Sequence, residues 1–189
     1  MGTITLTVPE ETVAGTALLD LARRAQAGDA DARDRLLREL YGAVRKHVYF
    51  VIGSGALADD AVQETMIAVY RGLAGFRGDA NPRAWALAIA ARTARRVRAR
   101  DARHIATDAV DPLMFDVDTV AAGEMVLLRR TLARLAPKKR DAFVLMSLFE
   151  LTAEEAGKAL STFANTAASR NRHARAELED YLRENDAEQ

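Results

Sequence analysis

The side chains best placed to do chemistry in this sequence are arginines. Between Arg71 and His104 there are nine of them, at 71, 77, 83, 92, 95, 96, 98, 100 and 103, against two acids, Asp79 and Asp101. On a helix, Arg92, Arg96, Arg100 and Arg103 fall four, four and three residues apart and project as one stripe, flanked by Arg95 and Arg98. Guanidinium groups in that arrangement neutralise phosphates and stack on bases, which is binding chemistry rather than turnover. The chain as a whole has 27 basic and 27 acidic residues, so this basicity is local.

Other chemistries find little support. Cysteine is absent, which removes disulfides, thiolate nucleophiles and cysteine-ligated zinc, and His47, His104 and His173 do not share a metal-ligand spacing. No carboxylate pair, nucleophile–base set or glycine-rich phosphate loop is present, Gly53-Ser54-Gly55 being too short for one. The expectation is a protein without catalytic residues, metal or cofactor. No run approaches the roughly 20 apolar residues that span a bilayer, and Met1 to Thr16 lacks the basic start and apolar stretch of a signal peptide, so a cytoplasmic protein is expected.

The elements that must position the arginines read as helices throughout. Leu36, Leu40, Val44, Val48 and Ile52 recur every fourth residue and predict one helix with a continuous apolar face, ending at Gly53-Ser54-Gly55. A second carries Val62, Met66, Val69 and Leu73 on one face, with Asp59 and Asp60 in its first turn, and stops among Gly72, Gly75 and Gly78. The loop Phe76 to Pro82 leads into a third helix whose first half turns Trp85, Ile89 and Thr93 inward and whose second half is the arginine stripe. Trp85 is assigned to the core on that spacing.

Ile105 to Thr119 has no helical period, contains Pro112 and four aspartates (108, 111, 116 and 118), and reads as an acidic linker. Apolar periodicity resumes at Met125, Leu128, Leu132 and Leu135, breaks at Pro137 and returns over Ala142 to Phe149. Thr152 with Glu155 is a capping-box pair opening a short helix from Ala153 to Leu160. A turn over Ser161 to Ala164 and a helix over Asn165 to Arg183 complete a helix-turn-helix. The expected fold is all-α: a helical bundle over 15–105, an acidic linker over 106–121 and a helix-turn-helix domain over 122–184.

Asp60-Ala-Val-Gln63-Glu64, followed by Phe76 to Trp85 and an arginine-rich helix, resembles region two of the extracytoplasmic-function (ECF) sigma factors of the sigma-70 family. Leu135-Ala-Pro137-Lys-Lys-Arg140-Asp-Ala-Phe143-Val-Leu145 and Leu151-Thr-Ala-Glu154-Glu155 resemble the two parts of region four. The likeness covers nearly all of residues 17–182. It implies that Asp60, Gln63, Glu64, Ile67 and Arg71 dock on the largest-subunit clamp of core RNA polymerase, with the second domain meeting the flap. It implies that Arg77, Asp79 and Asn81 form a loop that captures a flipped base of the downstream promoter element, while Arg92, Arg95, Arg96 and Arg100 grip the opened strands. Ser169, Arg170, Arg172 and Arg175 would then face the upstream element from the recognition helix, and an anti-sigma factor is a further implied partner.

The departures from the family pattern gather in that recognition domain. Ser161 stands where a turn glycine is usual, Asn171 where a core leucine is usual, Ala164 and Ala167 where small or β-branched apolar residues are usual, and Ala168 where a basic residue is frequent. Residues 120–189 carry eleven basic and eleven acidic side chains, a poor balance for independent DNA affinity. The reading that follows is a promoter-specificity subunit of bacterial RNA polymerase. Its alternative is a sigma-like decoy or adaptor that binds polymerase or an anti-sigma factor without reading promoters.

Overall fold

The computed structural model describes residues 10–78, 80–100 and 119–186; Asp79, Arg103 and residues 106–118 of the expected linker lie outside them, while the last three residues of that expected linker, 119–121, are helical. Among the described residues every regular element is helical. In chain order they are α1 (Glu10–Gln26), α2 (Ala30–Val51), α3 (Ala56–Gly72), α4 (Pro82–Arg100), α5 (Thr119–Ala133), α6 (Pro137–Phe143), α7 (Ala153–Leu160) and α8 (Ala164–Asp186). A 3-10 turn, Leu73–Gly75, follows α3, and α6 runs into a π-helical turn, Val144–Leu148.

The core of the first half is the expected face of α2. Leu36, Leu40, Val44 and Val48 are buried to 1% exposure or less, each contributing about 1.5–3 kcal/mol of transfer free energy before ordering costs. Asp29 starts this helix by accepting the Ala32 N–H at 2.9 Å. Val62, Val69 and Leu73 from α3, and Ala86, Leu87, Ala90 and Ala94 from α4, close on the same core. The small residues on α4 let that helix approach closely, which is why an element so rich in arginine is still half buried. Trp85 packs on Phe76, ring centroids 5.0 Å apart, as the core assignment expected. Gln26 on α1 donates to the carbonyls of Leu73 and Phe76 at 2.9 and 2.6 Å, tying down the loop that enters α4.

In the second half, α6, α7 and α8 pack around Leu132, Leu135, Leu145, Leu160 and Ala174, all buried. The capping box at α7 forms as expected: Glu155 N–H donates to Thr152 Oγ1 at 3.2 Å, and Thr152 N–H donates to the Glu155 carboxylate at 3.0 Å. The turn after α7 brings backbone onto Gly157, where a Cβ would lie 3.0 Å from both the Ala164 nitrogen and the Thr162 oxygen. The helix-turn-helix closes this tightly only because position 157 has no side chain.

Arginines on one element repeatedly hold the carbonyls that another leaves open at its C-terminal end, where three or four acceptors are orphaned. Arg140 on α6 takes the carbonyls of Leu132, Ala133 and Leu135 at 3.0, 3.0 and 3.2 Å and so finishes α5. The same device joins the two halves. Arg95 on α4 donates to Leu160 O at 2.7 Å and Ala159 O at 3.1 Å, at the end of α7. Arg129 on α5 donates to Ile52 O at 3.3 Å, just past the end of α2.

Candidate functional site: an apolar groove beside an arginine ridge

Two surfaces share the first half. The first is a groove of about 910 Å³ between α2 and α3, lined by Leu37, Tyr41, Val62, Gln63, Met66, Ile67, Tyr70 and Arg71, with Arg38 and Asp59 at its rim. Tyr41, Ile67 and Tyr70 are 43%, 43% and 51% exposed, which is unusual for large apolar side chains clustered together and marks a surface built to be covered. Cations edge it: Arg33 lies over the Tyr70 ring and Arg45 over the Tyr41 ring, 5.5 and 5.9 Å from the centroids.

Of the five docking residues expected from the sequence, Gln63, Ile67 and Arg71 line this groove. Asp60 is exposed on α3, and Glu64 turns toward α4 to accept from Arg96 at 2.6 Å. Sequence reasoning missed Leu37, Arg38, Tyr41 and Tyr70. The signal was there in part: Leu37 and Tyr41 are four apart and sit one position round from Leu36 and Leu40, making the apolar face of α2 wider than its core needs.

The second surface is the arginine ridge of α4, and helix geometry divides it. Arg92, Arg96 and Arg100 are exposed along the outer face. Arg95 and Arg98, turned about 100° and about 160° from the middle of that face, face the second half. Arg98 pairs with Asp141 of α6 at 3.0 and 3.3 Å, with 14% and 6% of the two side chains exposed. Burial pushes the Asp141 carboxyl above the ordinary carboxylate range, and the Arg98 guanidinium draws it part of the way back.

At the loop before α4, Arg77 is exposed and Asp79 lies outside the described residues. Asn81 caps α4: its Oδ1 accepts the Arg83 N–H at 2.8 Å and its carbonyl accepts the Trp85 N–H at 3.0 Å. A polar cleft of about 170 Å³ joins Asn81 and Arg83 to Phe149, Glu150 and Glu155 of the second half.

On α8, Ser169 and Arg170 are half-buried, while Arg172 and Arg175 are exposed. Arg175 donates to Ser147 Oγ at 3.2 Å, and Ser147 in turn donates to Asn171 Oδ1 at 2.9 Å. Asn171 therefore occupies its core position, 8% exposed, with its oxygen satisfied. A second apolar groove, of about 510 Å³, runs beside this network between Leu127, Leu128, Phe143, Leu178 and Leu182. Among the described residues no three His, Cys, Asp or Glu side chains stand together as metal ligands, and no helix is long and apolar enough to cross a membrane.

Comparison with known proteins places these surfaces in a context. The family described as Sigma-70 region 2 matches residues 36–104, which hold both the groove and the ridge. The RNA polymerase sigma factor NccH of Alcaligenes xylosoxydans xylosoxydans is 32% identical over 168 residues, covering 84% of this chain and 90% of that protein. The ECF RNA polymerase sigma factor SigM of Mycobacterium tuberculosis is 29% identical over 153 residues, 80% of this chain and 78% of that one. Among solved structures, CnrH in complex with the cytosolic domain of CnrY superimposes with a TM-score of 0.65 at 25% identity, covering 88% of this chain and 97% of that one. The sigma factor RpoE of Bartonella quintana, solved with the anti-sigma factor NepR, shares the fold at a TM-score of 0.61 and 21% identity, over 79% and 96% of the two chains.

Proposed function

We propose that this chain, which belongs to the extracytoplasmic-function sigma factors of the sigma-70 family, directs bacterial RNA polymerase to specific promoters and helps open the strands there. The observation that carries the mechanism is the adjacency of an exposed apolar groove and an exposed arginine ridge on neighbouring helices. One anchors the protein to a larger machine, and the other holds DNA beside it.

In this reading the clamp of core polymerase covers Tyr41, Ile67 and Tyr70, with Gln63 and Arg71 in the groove and Asp60 and Glu64 at its flank. The desolvated aromatics supply most of the affinity, as in other hot spots. Unpairing each base step costs on the order of 1–2 kcal/mol, and a ridge that binds separated strands better than duplex offsets that cost. Arg92, Arg96 and Arg100 do this from the outer face of α4. Asp79, Asn81 and Arg77 choose the downstream base, and Arg172 with Ser169, Arg170 and Arg175 meets the upstream element. The second apolar groove, with Leu127 and Leu182 at its mouth, receives the flap of the polymerase. An anti-sigma factor is a further partner in this reading, by analogy with CnrH, which was solved in complex with the cytosolic domain of CnrY. The protein acts in the cytoplasm as a regulator and turns over no substrate.

The decoy reading is kept alive by the recognition helix, where Ser169 and Arg170 are half-buried and Arg175 is tied to Ser147. Run-off transcription with purified core polymerase separates the two. A promoter-dependent transcript is expected, and core binding without any transcript would favour the decoy. Replacing Arg92, Arg96 and Arg100 together by alanine should lower open-complex formation at least about tenfold while leaving core binding near its original level. Equal loss in both assays would remove the ridge from the mechanism.

A further inference from the structure

Phe163 is the most exposed large apolar side chain among the described residues, at 83%, and it stands immediately before α8, the second helix of the helix-turn-helix. A lone exposed apolar residue is ordinary. This one also breaks a local rule. Its carbonyl accepts the Thr166 and Ala167 N–H groups, both at 3.0 Å, but its side chain brings no oxygen to a position where serine, threonine, aspartate and asparagine are favoured. Nor is the ring carried on a loose turn. Backbone of Thr162 and Ala164 closes on Gly157, and the Thr162 N–H donates to Gly157 O at 2.9 Å. The chain alternates through this turn, with Thr162 and Ala164 half-buried and Phe163 and Asn165 exposed.

Helix geometry continues the outward direction along α8. Asn165, Ser169, Arg172 and Ala176 fall within about 30° of one line, on the side opposite the buried Ala167, Asn171, Ala174 and Leu178. Arg170 is half-buried off that line, and Arg175 is held by Ser147. Residues 163–169 carry no charged side chain, so the start of the helix lacks the guanidinium that most often reads guanine. It presents a phenyl ring and a carboxamide instead. The first residues of such a helix meet base edges in the major groove. There an apolar side chain packs on the 5-methyl group of thymine, and an asparagine amide pairs with N6 and N7 of adenine.

We infer that Phe163 and Asn165 are the specificity residues of α8: Phe163 packs on a thymine methyl, Asn165 pairs with a neighbouring adenine, and the upstream element is read as A·T pairs at these positions. This rests on the reading of α8 as the helix that meets the upstream element, and it names the bases that the helix selects. The altered residues of this helix then recode it, moving base choice ahead of Ser169 and Arg170 and leaving Arg172 to hold the backbone.

The test uses holoenzyme assembled from core polymerase and the full chain, which selects from a promoter library with a randomised upstream segment; the bound fraction is sequenced. The unaltered chain should enrich an element with a thymine and an adenine at fixed positions. Phe163→Ala should lose the thymine and Asn165→Ala the adenine, each at that position alone, because both side chains are exposed and their removal leaves the core untouched. Replacing the selected thymine by deoxyuridine deletes one methyl group. It should weaken binding of the unaltered holoenzyme about fourfold and leave the Phe163→Ala holoenzyme unaffected. Replacing the selected adenine should cost the unaltered holoenzyme about tenfold or more, and the Asn165→Ala holoenzyme little.

An identical element from both variants would overturn the assignment, and so would a deoxyuridine penalty that persists without the phenyl ring. An unchanged element with weaker core binding would overturn it too, making Phe163 a contact for the polymerase. Failure of the wider reading looks different: the unaltered holoenzyme would form but enrich no upstream sequence at all, and the inference would fall with it.

Discussion

The two halves of the molecule solve the problem of burying a helix in different ways. In the first, α2 presents Leu36, Leu40, Val44 and Val48 to α3 and α4, and the polar side chains buried with them, His47, Thr65 and Thr93, carry no charge. In the second, polar groups enter the core and are satisfied one at a time: Asn171 by Ser147, Asp141 by Arg98 from the other half, and the open end of α5 by Arg140. An apolar core is stable by itself, whereas a core containing polar groups is only as stable as the partners it retains. The comparison teaches that the second half depends on the first, and that their junction is where the protein is most sensitive to change.

The largest effect should come from breaking the pair that both halves share. Asp141→Ala leaves Arg98 buried without its carboxylate, and removing one partner of such a pair costs about 3–5 kcal/mol. Replacing both, Arg98→Met with Asp141→Leu, removes the uncompensated charge and should recover most of that loss. Urea unfolding of the unaltered chain, of Arg98→Met and Asp141→Leu singly, and of the two combined measures the coupling. If the single and double replacements are equally destabilising, the junction owes its strength to packing and not to charge.

A smaller effect distinguishes the halves by pH. His47, on the core face of α2, is fully buried beside the Phe149 ring of the second half, centroids 5.9 Å apart, and neither ring nitrogen meets a hydrogen-bond partner. Burial, helped by the Arg98 charge, pushes its pKa down to about 3 from 6.5. Above pH 6.5 the ring is neutral whether the chain is folded or not. As the pH falls below that, the unfolded chain takes a proton that the folded one refuses, so stability is lost at up to about 1.4 kcal/mol per pH unit. Asp141, whose pKa is raised, acts in the opposite direction as acid is added. The informative quantity is therefore the difference between the unaltered chain and His47→Leu between pH 7 and pH 5. The variant should lose less stability over that range, and parallel curves would show that His47 gains solvent before unfolding.

Much of this was legible in the sequence, and what was not has physical causes. The four-residue spacing of α2, the capping box at Thr152 and Glu155, and the stripe of Arg92, Arg96 and Arg100 are local patterns, and each took the expected form. The helix α1 left little trace because its apolar side chains Leu18, Leu19 and Leu21 are only half-buried and, among its described side chains, Ala22 alone is fully enclosed. Asn81 was read for its base-binding edges, but its side-chain oxygen is committed to capping α4, a role that any loop asparagine before a helix can fill. The partners of Arg95 and Arg98 could not be read at all. They lie on α6 and α7, and no local period reports which side of an arginine helix will meet another domain.

The smallest expected effect concerns the turn of the helix-turn-helix, where the two halves differ in how they satisfy backbone strain. Gly28, Gly53, Gly55 and Gly78 take the positive φ angles of the first half, but Ser161 ends α7 at φ 53° and ψ 51°, a left-handed conformation that favours glycine. Its own N–H is used, donating to Lys158 O at 3.3 Å, and its side chain is exposed, so nothing visible in its surroundings repays the strain. Ser161→Gly should stabilise the chain by about 0.5–1 kcal/mol, the gain from removing a Cβ at a left-handed position being partly offset by the greater freedom of glycine when unfolded. Thermal unfolding would register this as a rise of a few degrees. No rise, or a fall, would mean that the serine hydroxyl makes a contact of its own, and that the departure from glycine here serves the turn.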